Sequence, residues 1–224
     1  DIGINLINLF LLNKWKVTAH YNENKISSKL KIKKNIFFSE FKFDLRKIDN
    51  FETYIDNNDF NSFDAFVNLA GYFKPKSFKN FTIKNYYDHI NVNTLSSLLV
   101  IKKIIPNMKK NKWGRIVNTS SIGTKFGGGM NSFAYSLSKF NNEFFPQYYK
   151  TLYSKNIIIN TLQIGLTDTK LLKKLPSKNY NNRLKKIPIR RMAKPAEVAN
   201  YILYLCGNNN KLLTNSVINI SGGE

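Results

Sequence analysis

Apolar residues fall into alternating helix-like and strand-like groups along the chain. Apolar positions 4, 6, 7, 10, 11 and 12 have the spacing of a helix with a broad buried face. Short runs of apolar and β-branched residues predict strands at 15–21, 36–45, 63–69, 115–119, 157–162 and 216–220. Strands that alternate with helices are typical of a doubly wound α/β fold, in which helices cover both faces of a mainly parallel sheet.

Two longer helices are also predicted, and each meets a proline. One runs from Thr82 to Ile105, and we expect Pro106 to end or kink it because proline lacks a backbone N–H. The other begins near Ala134 and contains Pro146, where we expect a kink near the middle of the helix.

Length and composition indicate one domain that spans residues 1–224. A chain of 224 residues with 42% hydrophobic residues can bury a single sizeable core. The 35 lysine and arginine residues against 14 acidic residues give a net charge of +21, which suits an anionic partner such as nucleic acid, a membrane surface or an acidic carrier protein. The lysines are scattered and form no basic patch with a recognition motif, so nucleic-acid binding is not favoured.

Cysteine content and the lack of long apolar runs indicate the compartment. The single cysteine, Cys206, excludes an internal disulfide and fits the reducing cytoplasm. No apolar run approaches the roughly 18 residues of a spanning helix, and the apolar opening has no basic leader or cleavage site. No group of residues has the spacing of metal ligands. We therefore expect a cytoplasmic protein with neither a membrane partner nor a metal.

Three residues form a candidate proton-transfer group: Ser121, Tyr135 and Lys139. Tyr135 and Lys139 stand at i and i+4, so in a helix they lie on one face, one turn apart. A free phenol holds its proton to about pH 10, and a nearby ammonium lowers that pKa toward the working range. Ser121 follows the apolar run at 115–119, which predicts its hydroxyl at the C-terminal end of a strand, where α/β sheets bind ligands.

Several short motifs accompany this group in a fixed order along the chain. Ser121 precedes the Tyr-x-x-x-Lys motif by 14 positions. The other segments are Asn68-Leu69-Ala70-Gly71, Val92-Asn93, Ile164-Gly165-Leu166-Thr167-Asp168-Thr169, Pro195-Ala196-Glu197 and Ser221-Gly222-Gly223. This order resembles the short-chain dehydrogenase/reductase family over essentially the whole chain, although Leu69 and Ile164 depart from the family's Asn and Pro.

The resemblance implies a Rossmann-like fold and hydride transfer between a nicotinamide cofactor, NAD(P)(H), and a carbonyl or alcohol substrate. Tyr135 would give its proton to the carbonyl oxygen, and Ser121 would hydrogen-bond the same oxygen. Lys139 would lower the pKa of Tyr135 and bind the nicotinamide ribose. Asn93 would hold a water that connects Lys139 to solvent, which completes a catalytic set of four residues.

The resemblance also implies the residues that bind the cofactor. They lie at turns and strand ends: Ile2, Gly3, Tyr21, Asp44, Leu45, Asn68, Ala70, Gly71, Tyr135, Lys139, Gly165, Thr167 and Thr169. Asp44 is the expected acceptor for the adenine amino group, and the small residues Ala70 and Gly71 let the backbone approach the dinucleotide. Asp1-Ile2-Gly3 matches the last three positions of the family's glycine-rich turn, with aspartate in place of the first glycine.

The end of the strand at 15–21 decides between NADP(H) and NAD(H). An acidic residue there would hold the adenosine ribose hydroxyls and repel a 2′-phosphate. His20-Tyr21-Asn22 contains none, which favours NADP(H). NAD(H) stays open because Glu23 is near and no arginine is an obvious phosphate ligand.

By resemblance, the expected substrate is a 3-oxoacyl group carried on acyl carrier protein. Lys112 and Lys155 align with the basic sites that dock the acidic carrier, and the segment at about 166–190 would cap the substrate. Oxidation of a sugar or another small alcohol within the same family stays open. So does a non-enzymatic dinucleotide sensor or scaffold built on the same fold.

The resemblance also bears on assembly and on the N-terminal side of the chain. The family forms tetramers or dimers, and the aromatics Phe144, Phe145, Tyr148 and Tyr149 exceed what one buried helix face needs, which favours a contact surface. In the doubly wound order the first strand lies at the sheet centre. That strand and half of the glycine turn have no counterpart here, so we expect the natural protein to start upstream of Asp1, which makes this domain N-terminally truncated.

Overall fold

The computed structural model describes residues 1–30, 36–172 and 182–224, and strands and helices alternate through them. The helices are α1 (Ile2–Leu12), α2 (Ile48–Asp56), α3 (Ile83–Ile90), α4 (Ser96–Asn111), α5 (Phe133–Phe140), α6 (Gln147–Leu152) and α7 (Pro195–Cys206). The strands are β1 (Val17–Tyr21), β2 (Phe38–Lys42), β3 (Ala65–Val67), β4 (Gly114–Ser121), β5 (Ile157–Ile164) and β6 (Ser216–Ile220). The predicted α/β class is confirmed.

All described strand pairs are parallel, and they form two groups. β3, β4, β5 and β6 pair in that order, whereas β1 pairs with β2. A cavity of about 470 Å³ lies between the groups, lined by Val17 and Ala19 of β1 and by Ala65 and Val67 of β3. The interruption falls where the doubly wound order places the strand that the sequence analysis could not find.

Apolar side chains cover both faces of the larger group, because successive residues of a strand point to opposite sides. Ile116 and Ile159 belong to a buried cluster with residues of α2, α4 and α6. Val117 and Leu162 belong to a second cluster with residues of α1 and α7. Helices on both faces therefore bury β4 and β5 almost completely, and only the ends of these strands approach solvent.

The long helix predicted from Thr82 is interrupted, but not at its proline. α3 ends at Ile90, a π-helical turn spans Asn91–Leu95, and α4 then continues through Pro106 to Asn111. The helix does not end at Pro106, because buried neighbours such as Met108 hold it to the core despite the missing hydrogen bond. π turns of this kind occur mostly at functional sites, and this one contains Asn93.

The predicted kink at Pro146 is a complete break. α5 ends at Phe140, and a 3-10 turn follows at Asn141–Glu143. Pro146 has extended dihedrals and stands immediately before the first residue of α6. A proline at the start of a helix loses no intrahelical bond, which explains why the chain begins a new helix there.

Within the described ranges, no helix has the length and apolar character needed to cross a membrane. No group of three or more His, Cys, Asp or Glu side chains in the same part of the chain could bind a metal ion. Cys206 is buried as a free thiol.

Candidate active site

Ser121 is the last residue of β4, as predicted, and its hydroxyl points into the candidate site. The Gly123 N–H donates to Ser121 Oγ at 3.2 Å, within the 3-10 turn Ile122–Phe126. This bond uses one lone pair of the hydroxyl, and Ser121 lies close enough to Tyr135 to act to lower the pKa of the phenol.

Tyr135 lies near the start of α5 with its ring packed edge-on against Phe73, at a centroid distance of 5.1 Å. Burial raises the pKa of Tyr135 to about 12, although the Ser121 hydrogen bond and the charge of Arg183 both act to lower it. The prediction that Lys139 brings this pKa down is wrong for the geometry observed, because desolvation dominates. At neutral pH the phenol keeps its proton.

Lys139 lies one helical turn after Tyr135 and is only 4% exposed. Its ammonium donates to the carbonyl oxygens of Thr119 at 3.2 Å and of Ala70 at 3.3 Å. Burial lowers the pKa of Lys139 to about 8. The ammonium is thus fixed between the ends of β3 and β4, in the C-terminal edge of the sheet.

Asn93 is fully buried, and its side-chain amide is used entirely within the protein. Its Nδ2 donates to Tyr72 O at 3.1 Å and to Ser138 Oγ at 2.8 Å, and its Oδ1 accepts from Tyr72 N–H at 2.7 Å. Its main-chain carbonyl accepts from Asn142 Nδ2 at 2.8 Å. These bonds make Asn93 a joint between the loop after β3 and α5, and its water-holding role stays a prediction.

Five of the predicted cofactor residues line the cavity between the two strand groups. They are Gly3, Tyr21, Leu45, Asn68 and Ala70. A Cβ added at Gly3 would have its nearest neighbour, Leu69 Cδ1, at 3.9 Å, so packing within the chain does not explain the glycine. Gly3 lies in the first turn of α1, where the helix N–H groups suit a pyrophosphate.

The surroundings of Asp44 and Ile2 are less favourable for cofactor binding than the sequence analysis predicts. The Asp44 carboxylate is bonded by the Arg46 guanidinium at 2.9 and 2.7 Å, which holds the pKa of that carboxyl below its usual range. An adenine amino group would have to share this acceptor with Arg46. Ile2 begins α1 behind Asp1, whose carboxylate accepts from Lys170 N–H at 2.5 Å.

The segment after β5 approaches the same edge of the sheet. A Cβ at Gly165 would lie 2.5 Å from Ser221 Cα, so glycine is required there by the close approach of the chain after β6. Thr167 is buried and its hydroxyl donates to Gly165 O at 3.0 Å, whereas Thr169 is partly exposed. Of the two predicted threonines, Thr169 is the one open to a ligand.

Gly71 is exposed at the end of the Asn-Leu-Ala-Gly segment, beyond the cavity lining. The predicted capping segment at about 166–190 is described only in part, since residues 173–181 lie outside the described residues.

Three residues that the sequence analysis did not single out belong to this site. Thr119, two positions before Ser121, supplies a carbonyl to Lys139, and the period of two along β4 could have indicated it. Phe73 packs on Tyr135, and Arg183 lies close enough to influence its titration. No sequence pattern links either residue to Tyr135.

A nicotinamide dinucleotide fits the arrangement of these residues. Three features border the same edge of the sheet. They are the C-terminal ends of the strands, Gly3 in the first turn of α1 and the buried ammonium of Lys139.

The known proteins that are similar to this chain include several reductases. A family model described as enoyl-(acyl carrier protein) reductase matches residues 2–224. The 3-oxoacyl-[acyl-carrier-protein] reductase FabG of Aquifex aeolicus (strain VF5) is 31% identical over 71% of this chain and 64% of its own length. FabG of Thermotoga maritima is 32% identical over 71% of this chain and 65% of its own length. The matched segment thus spans slightly less than two thirds of each of these relatives.

An acetoacetyl-CoA reductase of Shinella zoogloeoides aligns over more of the chain, at 28% identity across 94% of this chain and 88% of its own length. Two solved structures share the fold. One is a short chain dehydrogenase/reductase family protein, with a TM-score of 0.84 and 18% identity over 99% of this chain and 92% of that one. The other is a 3-oxoacyl (acyl-carrier-protein) reductase from Agrobacterium tumefaciens C58 with NADP bound, with a TM-score of 0.79 and 19% identity over 93% and 84%.

The order of motifs, the parallel sheet and the match to the family model agree. This chain belongs to the short-chain dehydrogenase/reductase family.

Proposed function

We propose that this protein reduces a carbonyl group to an alcohol with NADP(H) as cofactor. The observation that carries the proposal is the grouping of Ser121, the last residue of β4, with Tyr135, whose pKa it acts to lower, and with the buried ammonium of Lys139 one helical turn after Tyr135. An acid, a second hydroxyl donor and a fixed positive charge are the groups that carbonyl reduction needs from a protein.

Each of the three residues has a distinct task in the proposed reaction. A bound reduced nicotinamide supplies the hydride. Tyr135, whose pKa is raised to about 12, is protonated at neutral pH and donates its proton to the carbonyl oxygen. The Ser121 hydroxyl donates to the same oxygen and aligns it with Tyr135. The Lys139 ammonium, which is fixed by the carbonyl oxygens of Ala70 and Thr119, binds the nicotinamide ribose.

Charges near the end of β1 support NADP(H) over NAD(H). Lys25 and Lys29 line the cavity beside Tyr21, where the adenosine half of a dinucleotide would lie. The acidic side chain of Glu40 is already engaged, because it accepts from Ile26 N–H at 2.7 Å and from Ser27 Oγ at 2.6 Å. A 2′-phosphate would therefore meet two lysines, while the Glu40 carboxylate is held by Ile26 and Ser27.

For the substrate, we propose a 3-oxoacyl group linked to acyl carrier protein. The relatives named as 3-oxoacyl-[acyl-carrier-protein] reductases and acetoacetyl-CoA reductases support a 3-oxoacyl thioester. The net charge of +21 favours an acidic macromolecular partner over a neutral small molecule. Lys112 and Lys155 are exposed at the ends of α4 and of the turn after α6, where a carrier could reach them.

The test compares a carrier-linked 3-oxoacyl substrate with acetoacetyl-CoA while NADPH oxidation is followed by absorbance. We expect the Lys112→Glu/Lys155→Glu variant to raise KM for the carrier-linked substrate at least about tenfold and to leave KM for acetoacetyl-CoA within about twofold, because only the carrier uses long-range charge attraction. The control Lys14→Glu/Lys211→Glu changes the net charge equally at two other exposed positions.

Equal effects on both substrates would count against a carrier partner. Binding of NADPH without turnover of any ketone, thioester or sugar would instead favour the sensor or scaffold alternative.

We also propose that the protein assembles as a homotetramer or homodimer through the surface near α5 and α6. Phe144 is 75% exposed and Tyr148 is 48% exposed, and the two stand close together in sequence, which supports a contact surface. Phe145 and Tyr149, in contrast, pack in the core and are not available for contact. A monomer seen by sedimentation at micromolar concentration would contradict this assembly.

A further inference from the structure

Glu143 lies beside the candidate active site and has no task in the proposed reaction. It ends the 3-10 turn that follows α5, one helical turn beyond Lys139. Its Oε1 accepts from the hydroxyls of Ser120 at 2.5 Å and Thr124 at 2.6 Å. Among the described residues no lysine or arginine forms an ion pair with this carboxylate, so its charge is stabilised by neutral donors.

The third neutral donor comes from the neighbouring strand. Gln163 of β5 donates through Nε2 to Glu143 Oε1 at 3.1 Å and to Thr124 Oγ1 at 3.0 Å. Gln163 is the register partner of Ser120. One carboxylate oxygen therefore ties together the ends of β4 and β5 and the turn that follows β4.

The residues held by Glu143 stand on both sides of Ser121. Ser120 precedes it directly, and Thr124 follows three positions later, with its hydroxyl also 2.7 Å from Ser121 O. Hydrogen bonds from hydroxyls to a carboxylate at such short distances are roughly twice as strong as bonds between neutral groups. The backbone that carries the Ser121 hydroxyl is thus fixed before and after Ser121 by the same negative charge.

We propose that Glu143 is a positioning residue that aims the Ser121 hydroxyl at Tyr135. The inference rests on the proposed function of Ser121, and Glu143 acts only through Ser120 and Thr124, without touching the substrate. Without the carboxylate, Ser120 and Thr124 lose their shared acceptor, only the direct bond from Gln163 to Thr124 still connects the turn to β5, and Ser121 moves relative to Tyr135. A misplacement of this size lowers the rate because the donor no longer lies where the reacting oxygen needs it.

A double-mutant cycle separates this role from a general effect on folding. Turnover of acetoacetyl-CoA with NADPH is measured for the wild type, Glu143→Ala, Ser121→Ala and the double variant. We expect Glu143→Ala to lower kcat about tenfold with KM for NADPH unchanged, and to change kcat less than about twofold when Ser121 is already alanine. Glu52→Ala, which removes an exposed carboxylate on α2, is the control and should leave kcat unchanged.

Equal loss of kcat in both backgrounds, or no loss in either, would overturn the proposal. If Glu143→Ala does not fold, Ser120→Ala replaces it in the same cycle, since the Ser120 hydroxyl bonds to Glu143. The expected loss is then about threefold with Ser121 present and none without it.

A crystal structure of the variant gives a reading that does not depend on turnover. We expect the Ser121 hydroxyl to move away from Tyr135 in Glu143→Ala, and an unchanged position would refute the positioning role. If the wild-type protein reduces no carbonyl compound at all, the proposed function fails, while this structural comparison still decides the role of Glu143.

Discussion

The two groups of strands differ in how completely the protein encloses them. β4 and β5 are eight residues long, and seven residues of each are buried. β1 and β2 are five residues long, and only Ala19 among them is buried. The larger group supplies Ser121, Thr119 and the support for Lys139, whereas the smaller group supplies the surface around Tyr21 where an adenosine would lie.

This difference explains where the protein can hold charges in fixed positions. Lys139 is desolvated and bonded only to neutral oxygens, which is tolerable because β3 and β4 present their carbonyls rigidly. Lys25 and Lys29 are exposed beside β1 and remain hydrated. We therefore expect the larger group to hold the catalytic side chains in fixed positions. The smaller group should bind the adenosine half of the cofactor with side chains that can move.

The stability of the two groups can be compared with one chemical change made in each. Leu162 on β5 is 0% exposed, and Leu30, between β1 and β2, is 5% exposed within a small cluster. We expect Leu162→Ala to lower the free energy of unfolding by about 4 kcal/mol and Leu30→Ala by about 2 kcal/mol, because the thinner region can relax around the deletion. Urea denaturation of both variants measures the difference, and equal losses would remove the distinction.

Lys139 provides a test of how strongly the larger group desolvates a charge. Its pKa is lowered to about 8, so between pH 8 and its unfolded value the unfolded chain binds more protons and stability rises with pH. This residue alone should add about 3 kcal/mol to the free energy of unfolding between pH 8 and about pH 10.5. In Lys139→Met that rise should disappear, whereas the exposed control Lys155→Met should keep it. A rise that persists in Lys139→Met would place the titrating group elsewhere.

Tyr135 tests whether the chemistry belongs to the larger group. We expect Tyr135→Phe to lower kcat at least about a hundredfold, the usual scale for loss of a general acid, because phenylalanine retains the packing on Phe73 but has no proton to give. Thermal unfolding and the Kd for NADPH should stay near wild type. Turnover close to the wild-type rate would remove Tyr135 from the mechanism.

Changes of charge beside the smaller group should alter only the preference between NADPH and NADH. We expect Lys25→Glu/Lys29→Glu to lower the ratio of kcat/KM for NADPH to that for NADH about tenfold, since a 2′-phosphate loses two positive neighbours. The effect should weaken as salt is added, because both side chains are exposed. The variant Lys14→Glu/Lys211→Glu controls for net charge, and a wild-type enzyme that prefers NADH would reverse the cofactor assignment.

Local sequence signals were sufficient for the larger group. The apolar run at 115–119 identified β4, and its end correctly located Ser121, because strand length and side-chain alternation follow from the chain itself. The spacing of Tyr135 and Lys139 likewise required only that α5 be helical. These features depend on near neighbours in sequence.

Features that depend on distant neighbours could not be obtained in this way. The pKa of Tyr135 moves upward because tertiary packing, including Phe73, removes water from the phenol, and no local pattern reports that burial. Pro106 lies inside α4 because core contacts outweigh one lost hydrogen bond. The bond from Asn142 to the carbonyl of Asn93 joins residues 49 positions apart.

The π turn between α3 and α4 limits which deletions and substitutions the protein can accept. Each residue advances an α-helix by about 100°, so the wider turn at Asn91–Leu95 lets the two helices face their neighbours with independent rotational phases. Deleting a single codon there would rotate α3 by more than a quarter turn relative to α4 and carry Asn93 away from Ser138. Substitutions at the partly exposed Leu95 should be accepted freely, whereas a one-residue deletion at the same place should abolish folding.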